Sequence, residues 1–191
     1  MEASDLHDLA AAAYDFVISS HCIEHLASPL RGLAEWIRVL KPGGILVLIF
    51  PHKDGTFDHR RPVTSLNHLI EDFAADTGED DMTHLAEVLE LHDFERSPGV
   101  GDIEEFRQRS MRNLENRCLH HHVFDTRLAV DVVNHMGLQI HAVELFHPFD
   151  IAITATKPMG QNQSVNNESF RMLDNGLHFS LPGRLYSNDH R

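Results

Sequence analysis

The sequence has few cysteines, no long apolar run and no excess of basic charge. Its two cysteines, Cys22 and Cys118, form no CxxC pair, which argues against a disulfide framework or a zinc knuckle. No apolar stretch approaches the roughly 20 residues that span a bilayer, and the first residues lack the features of a secretory signal. A formal net charge of -13 argues against a nucleic-acid surface, which needs a concentrated basic patch. We therefore expect a cytoplasmic protein that binds neither nucleic acid nor membranes.

A strand, a polar loop, a helix and a second strand follow one another near the N-terminus. The apolar residues of Tyr14–Ser19 predict a strand that is buried on both faces. Ser28 as N-cap and Pro29 at the first helical position predict a helix that ends before Lys41–Pro42. The six apolar residues Ile45–Phe50 predict a central parallel strand. The block is one βαβ crossover, and ligands of such sheets bind at the carboxyl ends of the strands.

The middle of the chain differs in character from both ends. Residues 52–119 are polar and rich in helix formers, with helices predicted near 65–75, 82–92 and 103–117. This segment is too long for a simple loop, and we interpret it as a helical insertion above the sheet.

The C-terminal part predicts a helix, a hairpin and a polar tail. Asp125 is placed to cap a helix that ends at Gly137. Strands are predicted over 138–146 and 149–156; their short link allows only antiparallel pairing, and a phase change between Ile140 and Val143 indicates a bulge. The Asn-, Gln- and Ser-rich residues 159–191 predict a disordered tail.

Two segments carry a resemblance to a known family. They read Tyr14-Asp15-Phe16-Val17-Ile18-Ser19-Ser20 with Ile23-Glu24-His25-Leu26, and Arg38-Val39-Leu40-Lys41-Pro42-Gly43-Gly44. They are similar to the fourth strand, its loop, the following helix and the fifth strand of class I S-adenosylmethionine-dependent methyltransferases, in particular the small-molecule type labelled type 11. The resemblance covers residues 1–158. It implies an α/β fold: a partial Rossmann-like methyltransferase sheet of two parallel strands and a C-terminal antiparallel hairpin, with a helical insertion.

The resemblance also implies a function, with one departure. The family transfers a methyl group from S-adenosylmethionine (SAM), here to a small-molecule or sugar-like acceptor. Its Gly-rich loop and the acidic residue after its second strand have no counterpart, because no glycine precedes Gly32. We therefore expect residues 1–158 to be the C-terminal part of a methyltransferase domain.

The resemblance assigns site residues position by position. Glu2 and Ala3 lie where the family contacts adenine, and Ser20 and His21 lie where it lines the methionine portion of SAM. His25 is positioned to face the acceptor and to act as a general base or to orient a hydroxyl group. No metal ligand is implied.

Other interpretations of the same residues stay open. A non-catalytic remnant would act as an interaction module, with self-association through the apolar edge of strand 14–19. The pattern His21-x-x-Glu24-His25 would suit a zinc-dependent hydrolase, but its position in a loop removes the helical geometry. We expect His120–His122 to be a surface or strand-end triplet and Arg60–Arg61 to face solvent.

Overall fold

A computed structural model describes residues 2–97, 99–160 and 163–172, and its centre is one mixed sheet. The strands are β1 (Tyr14–Ser20), β2 (Leu40–Pro51), β3 (Gln139–Phe146) and β4 (Asp150–Thr156), in the order β1-β2-β4-β3. β1 and β2 are parallel, whereas β4 is antiparallel to both β2 and β3. The predicted fold class, an α/β fold with two parallel strands and a C-terminal hairpin, is confirmed.

Helix α1 (Pro29–Val39) connects β1 to β2 and starts where the sequence predicts. Ser28 is the N-cap residue, but its side chain makes no capping hydrogen bond. β2 begins at Leu40, earlier than predicted, because Tyr14 pairs with Leu40 before the register shifts to Phe16 and Ile45. Gly43 lies in this irregular stretch with φ +76°, a conformation that glycine adopts without steric cost.

In the described part of the insertion, four α-helices lie between Leu66 and Asn116. They are α2 (Leu66–Ala74), α3 (Leu85–Leu91), α4 (Ile103–Met111) and α5 (Asn113–Asn116). Ser65 caps α2 and Asp102 caps α4, as short polar side chains do at helix starts. The third predicted helix is divided in two, because the backbone leaves helical geometry at Arg112. A small apolar cluster of Val88, Phe106 and Leu119 holds the insertion together.

The C-terminal helix and hairpin follow the predicted pattern closely. Asp125 Oδ1 accepts a hydrogen bond of 2.7 Å from the Leu128 amide and caps α6 (Thr126–His135). Gly137 follows the helix with φ +71°. The register of β3 and β4 shifts between Ile140 and Ala142, which confirms the bulge.

Part of the segment predicted as a tail packs on the domain. Asn167 is 2% exposed. Its side-chain Nδ2 donates to the carbonyl oxygen of Leu138, and its Oδ1 accepts from the backbone amide of Ile140, both at 2.9 Å. The short helix α7 (Glu168–Arg171) places Phe170 against the main core. Residues 161–162 and 173–191 of the predicted tail lie outside the described residues.

The main core lies between the sheet and helices α1 and α6, and it leaves one strand edge open. In the described sheet β1 pairs only with β2. Phe16 and Ile18 of β1 are each 62% exposed, because none of the described elements covers this face. The prediction that the strand is buried on both faces is therefore wrong. In the part of the chain that the structure describes, no helix combines the length and the apolarity needed to cross a membrane.

Candidate functional site

The loop after β1 forms the centre of the candidate site. His21 directly follows the strand with φ +48°, the left-handed region that non-glycine residues rarely adopt. Its amide donates a 3.0 Å hydrogen bond to the carbonyl oxygen of Ile49, which holds this turn against β2. A single 3₁₀ turn, Ile23–His25, then buries Glu24 and leaves His25 partly exposed. Such unfavourable backbone conformations occur frequently at functional sites.

A cleft of about 360 Å³ opens at the carboxyl ends of β1 and β2. Its walls come from three parts of the chain: the loop after β1, the insertion and the turn between β3 and β4. They include His21, Glu24, His25, Thr56, Phe57, Arg96, His120, Phe149 and Asp150. The location agrees with the general rule for ligand sites in open α/β sheets.

His25 has the geometry of a neutral base. Its Nδ1 lies 3.1 Å from the carbonyl oxygen of Leu119, which can only accept, so Nδ1 carries the proton and Nε2 is the basic nitrogen. Burial, followed by the nearby imidazole of His120, lowers the pKa of His25 below its ordinary value. The two rings lie 4.6 Å apart, edge to face. At neutral pH, His25 is therefore able to accept a proton.

Glu24 is a buried carboxylate with unused hydrogen-bonding capacity. It is 1% exposed, and neither carboxylate oxygen has a hydrogen-bond partner among the described residues. Its Oε1 lies 3.6 Å from Nδ1 of His21 and 3.8 Å from Nε2 of His25. Glu24 raises the pKa of His21, with a smaller contribution from Asp150, whose Oδ1 is 3.0 Å from His21 Nε2. The loop thus favours a protonated His21 beside a neutral His25.

A buried network from the insertion fixes the opposite wall. His120 Nδ1 lies 2.6 Å from Asp58 Oδ2, and Arg61 donates to Asp58 Oδ1 at 3.0 Å. Burial by itself would raise the pKa of Asp58, but His120 and Arg61 hold it below the ordinary value. Sequence analysis missed Asp58 and His120 as site residues. The available signal was the position of Asp58, a few residues beyond the carboxyl end of the second parallel strand.

The expected solvent exposure holds for Arg60 but is wrong for Arg61, and the expectation of a surface triplet at His120–His122 is wrong. Arg61 is 1% exposed, because its guanidinium also donates to the carbonyl oxygens of His120 and His121 and to Glu87. His121 and His122 are 0% and 1% exposed. Their backbone amides donate to the carbonyl oxygen of Glu24 at 2.8 and 3.3 Å, which places this segment behind the loop rather than on the surface.

The residues assigned to the donor lie around two neighbouring clefts. Glu2, Ala3, His21 and His25 line one cleft of about 320 Å³, where Glu2 forms an ion pair with Arg117. Ser20 lines a separate cleft of about 530 Å³ on the exposed side of β1, which Ala3 also borders. His21 and His25 line both the 320 Å³ cleft and the 360 Å³ cleft. The 320 Å³ cleft and the 360 Å³ cleft therefore meet at the side chains of His21 and His25.

The zinc-hydrolase pattern does not form as the sequence spacing suggests. Residues 21–25 fold as a turn and a 3₁₀ helix, not as an α-helix. In the described part of the chain, Glu24 and His25 have ligand atoms within 4.8 Å of His120, and His21 is not part of that group. The two histidines of the pattern are therefore not brought together as a pair of ligands.

Comparisons with known proteins support the resemblance over one end of the chain. Residues 1–48, about a quarter of the sequence, match a family model described as a methyltransferase domain. No curated protein matches the chain in sequence.

Several solved structures are similar to this chain at low identity. A SAM-dependent methyltransferase from Aquifex aeolicus is 15% identical over 82% of this chain and 52% of its own, with a TM-score of 0.43. One from Thermotoga maritima is 16% identical over 81% and 61%, with a TM-score of 0.42. One from Methanosarcina mazei is 17% identical over 84% and 66%, with a TM-score of 0.44. The chain thus spans about half to two thirds of these structures.

Proposed function

We propose that this chain takes part in methyl transfer from SAM to a small-molecule or sugar-like acceptor, with His25 as the general base. The N-terminal quarter resembles a methyltransferase domain, and its loop after β1 borders the 360 Å³ cleft. The observation that carries the proposal is the state of His25: its Nδ1 faces a backbone carbonyl, and burial lowers its pKa. A base of this kind suits an acceptor that must lose a proton.

The residues assigned to the donor, together with the neighbouring Glu24, fit one side of SAM. SAM carries a positively charged sulfonium, which supplies an activated methyl group when bound. Glu24 is a buried carboxylate whose oxygens have no hydrogen-bond partner among the described residues, and its Oε1 lies 3.6 and 3.8 Å from imidazole nitrogens of His21 and His25. It suits a cation nearby, because a buried charge without hydrogen bonds is unfavourable. By resemblance, Ser20 and His21 would contact the methionine portion, and Glu2 and Ala3 the adenine.

The protein residues would contribute mainly by alignment and proton removal. Holding the acceptor atom in line with the methyl group provides most of the acceleration in such a transfer. His25 Nε2 would take the proton of an acceptor hydroxyl or amine, an effect of about 10²- to 10⁴-fold. Phe57 and Phe149 supply apolar walls of the cleft, which suit the stacking of a sugar ring or other flat apolar face.

Calorimetric titration with SAM and a product assay with His25→Gln would test the proposal. We expect the variant to keep the affinity for SAM and to lose about 100-fold in kcat/KM. His7→Gln, at an exposed position, is the matched control and should keep full activity. Absence of SAM binding at millimolar concentration, or an unchanged rate in His25→Gln, would refute the role assigned here.

The exposed face of β1 favours a second candidate function. Phe16 and Ile18 project from a strand that has one partner in the described sheet. Unpaired, apolar strand edges bind other chains readily. A chain that self-associates through this edge and does not bind SAM would be an interaction module. Sedimentation measurements beside the SAM titration distinguish the two functions.

A further inference from the structure

Four side chains from three separate segments of the chain lie close together where the insertion meets the segment before α6. They are His68 and Asp72 of α2, His84 directly before α3, and His122 before α6. One ligand atom from each residue lies within 4.8 Å of those of the other three. We propose that these four residues bind one divalent transition-metal ion, with zinc as the best fit, and that the ion fastens the insertion to the domain.

Three distances within this four-residue cluster are close to those expected around a tetrahedral ion. Zinc binds imidazole nitrogen and carboxylate oxygen at about 2.0–2.2 Å, so two ligand atoms of a tetrahedral site lie about 3.3–3.6 Å apart. Nε2 of His68 is 3.2 Å from Nε2 of His84 and 3.4 Å from Oδ2 of Asp72. Nε2 of His122 is 3.7 Å from the same carboxylate oxygen, and it also donates to the carbonyl oxygen of Ala27 at 3.2 Å, a hydrogen bond that ligation through Nε2 would break. Binding of one ion would therefore require His122 to give up its contact with Ala27, and the four ligand atoms, which lie within 4.8 Å of one another, to move closer together.

The cluster also contains polar atoms that the protein itself leaves without partners. Oδ2 of Asp72 and Nδ1 of His122 are buried, and neither has a hydrogen-bond partner among the described residues. The other oxygen of Asp72 is 3.4 Å from the Thr77 hydroxyl, which orients the carboxylate from outside the cluster. A buried carboxylate oxygen facing three imidazoles is stabilised by a bound cation.

The chemistry of the ligand set selects the class of metal. Three imidazoles and one carboxylate suit zinc and its neighbours in the first transition row, whereas calcium and magnesium prefer oxygen ligands. Four protein ligands leave no open position, which is typical of structural sites. His68 and Asp72 are four residues apart on one helix face, so α2 provides a ready chelating pair. His68 remains 39% exposed, which leaves a path for the ion to enter.

The inference goes beyond the proposed methyl transfer and does not depend on it. Titration of the metal-free full chain with zinc, without any SAM, should show one equivalent of tight binding. At zinc concentrations about 100-fold above Kd, we expect Tm to rise by about 5–10 °C. Cobalt(II), used as a spectroscopic substitute, should give the intense visible absorption of a tetrahedral complex.

Two variants and a matched control separate this site from the other histidines. His84→Gln and His68→Gln change partly exposed residues, and each should weaken zinc binding at least tenfold and abolish the Tm shift. His135→Gln, at the end of α6, should leave both unchanged. Binding without a defined stoichiometry, an octahedral cobalt spectrum, or equal zinc affinity in all three variants would overturn the proposal. The wild-type spectrum decides the matter even if a variant fails to fold.

Discussion

Replacement of Arg61 by Met tests whether the buried network behind the cleft holds the insertion in place. Arg61 is 1% exposed and donates hydrogen bonds to Asp58 at 3.0 Å, to Glu87 at 2.8 Å and to the carbonyl oxygens of His120 and His121 at 2.9 and 3.2 Å. Methionine has a similar length but no charge and no donor. The substitution therefore removes the interactions while it fills most of the space.

The expected loss of stability follows from the groups that remain. Removing one member of a buried ion pair costs about 3–5 kcal/mol, because the other charge stays buried without compensation. Asp58 keeps His120 at 2.6 Å, which places the carboxylate contribution at the lower end. The two carbonyl oxygens add about 1 kcal/mol each as buried acceptors without donors. We expect Arg61→Met to lower the free energy of unfolding by about 5 kcal/mol.

The neighbouring arginine is a matched control. Arg60 is half exposed, and its guanidinium is 3.3 Å from Asp93, which His59 also contacts at 2.6 Å. A surface ion pair contributes about 0–1 kcal/mol, so Arg60→Met should change little. Urea unfolding followed by circular dichroism measures both variants. Equal losses in the two, or a loss below 1 kcal/mol in Arg61→Met, would refute the reasoning.

Three further predictions address other parts of the structure. Burial lowers the pKa of His92, whose ring nitrogens have no hydrogen-bond partners among the described residues. The unfolded chain therefore binds a proton at this residue more tightly than the folded chain does. As a result, the free energy of unfolding should fall as pH drops below about 6.5. His92→Phe should weaken this pH dependence and, by removing an unsatisfied polar group, stabilise the fold by about 1 kcal/mol in urea titrations at pH 7.5 and 5.5; an unchanged pH slope would contradict the assignment. Asn167→Ala should cost about 2 kcal/mol in the same assay, because it leaves a buried amide and a buried carbonyl without partners, whereas Asn166→Ala, at an exposed position, should cost less. Phe16→Lys with Ile18→Lys should shift any self-associated species toward monomer in sedimentation velocity, and an unchanged distribution would exclude the β1 edge as the contact.

The local pattern of the sequence was sufficient for most of the elements. The strands of the hairpin follow from alternation of apolar residues, which reflects burial on one face. The apolar run of Tyr14–Ser20 also marks a strand correctly, although its expected burial on both faces is wrong. Asp125 marks a helix start correctly, because a capping side chain acts on amides only two or three residues away. These features are decided by neighbours in the chain. These elements can therefore be predicted from the sequence alone.

Contacts between distant segments were decided by the tertiary structure alone. Arg61 is buried because the carbonyl oxygens of His120 and His121, about 60 residues away in the chain, accept hydrogen bonds from its guanidinium. His122 and His68 become neighbours only when the insertion folds back onto the segment before α6. Whether a charged or imidazole side chain is exposed depends on partners that no local pattern specifies. The cleft at the carboxyl end of β1 was foreseeable, but its far wall was not.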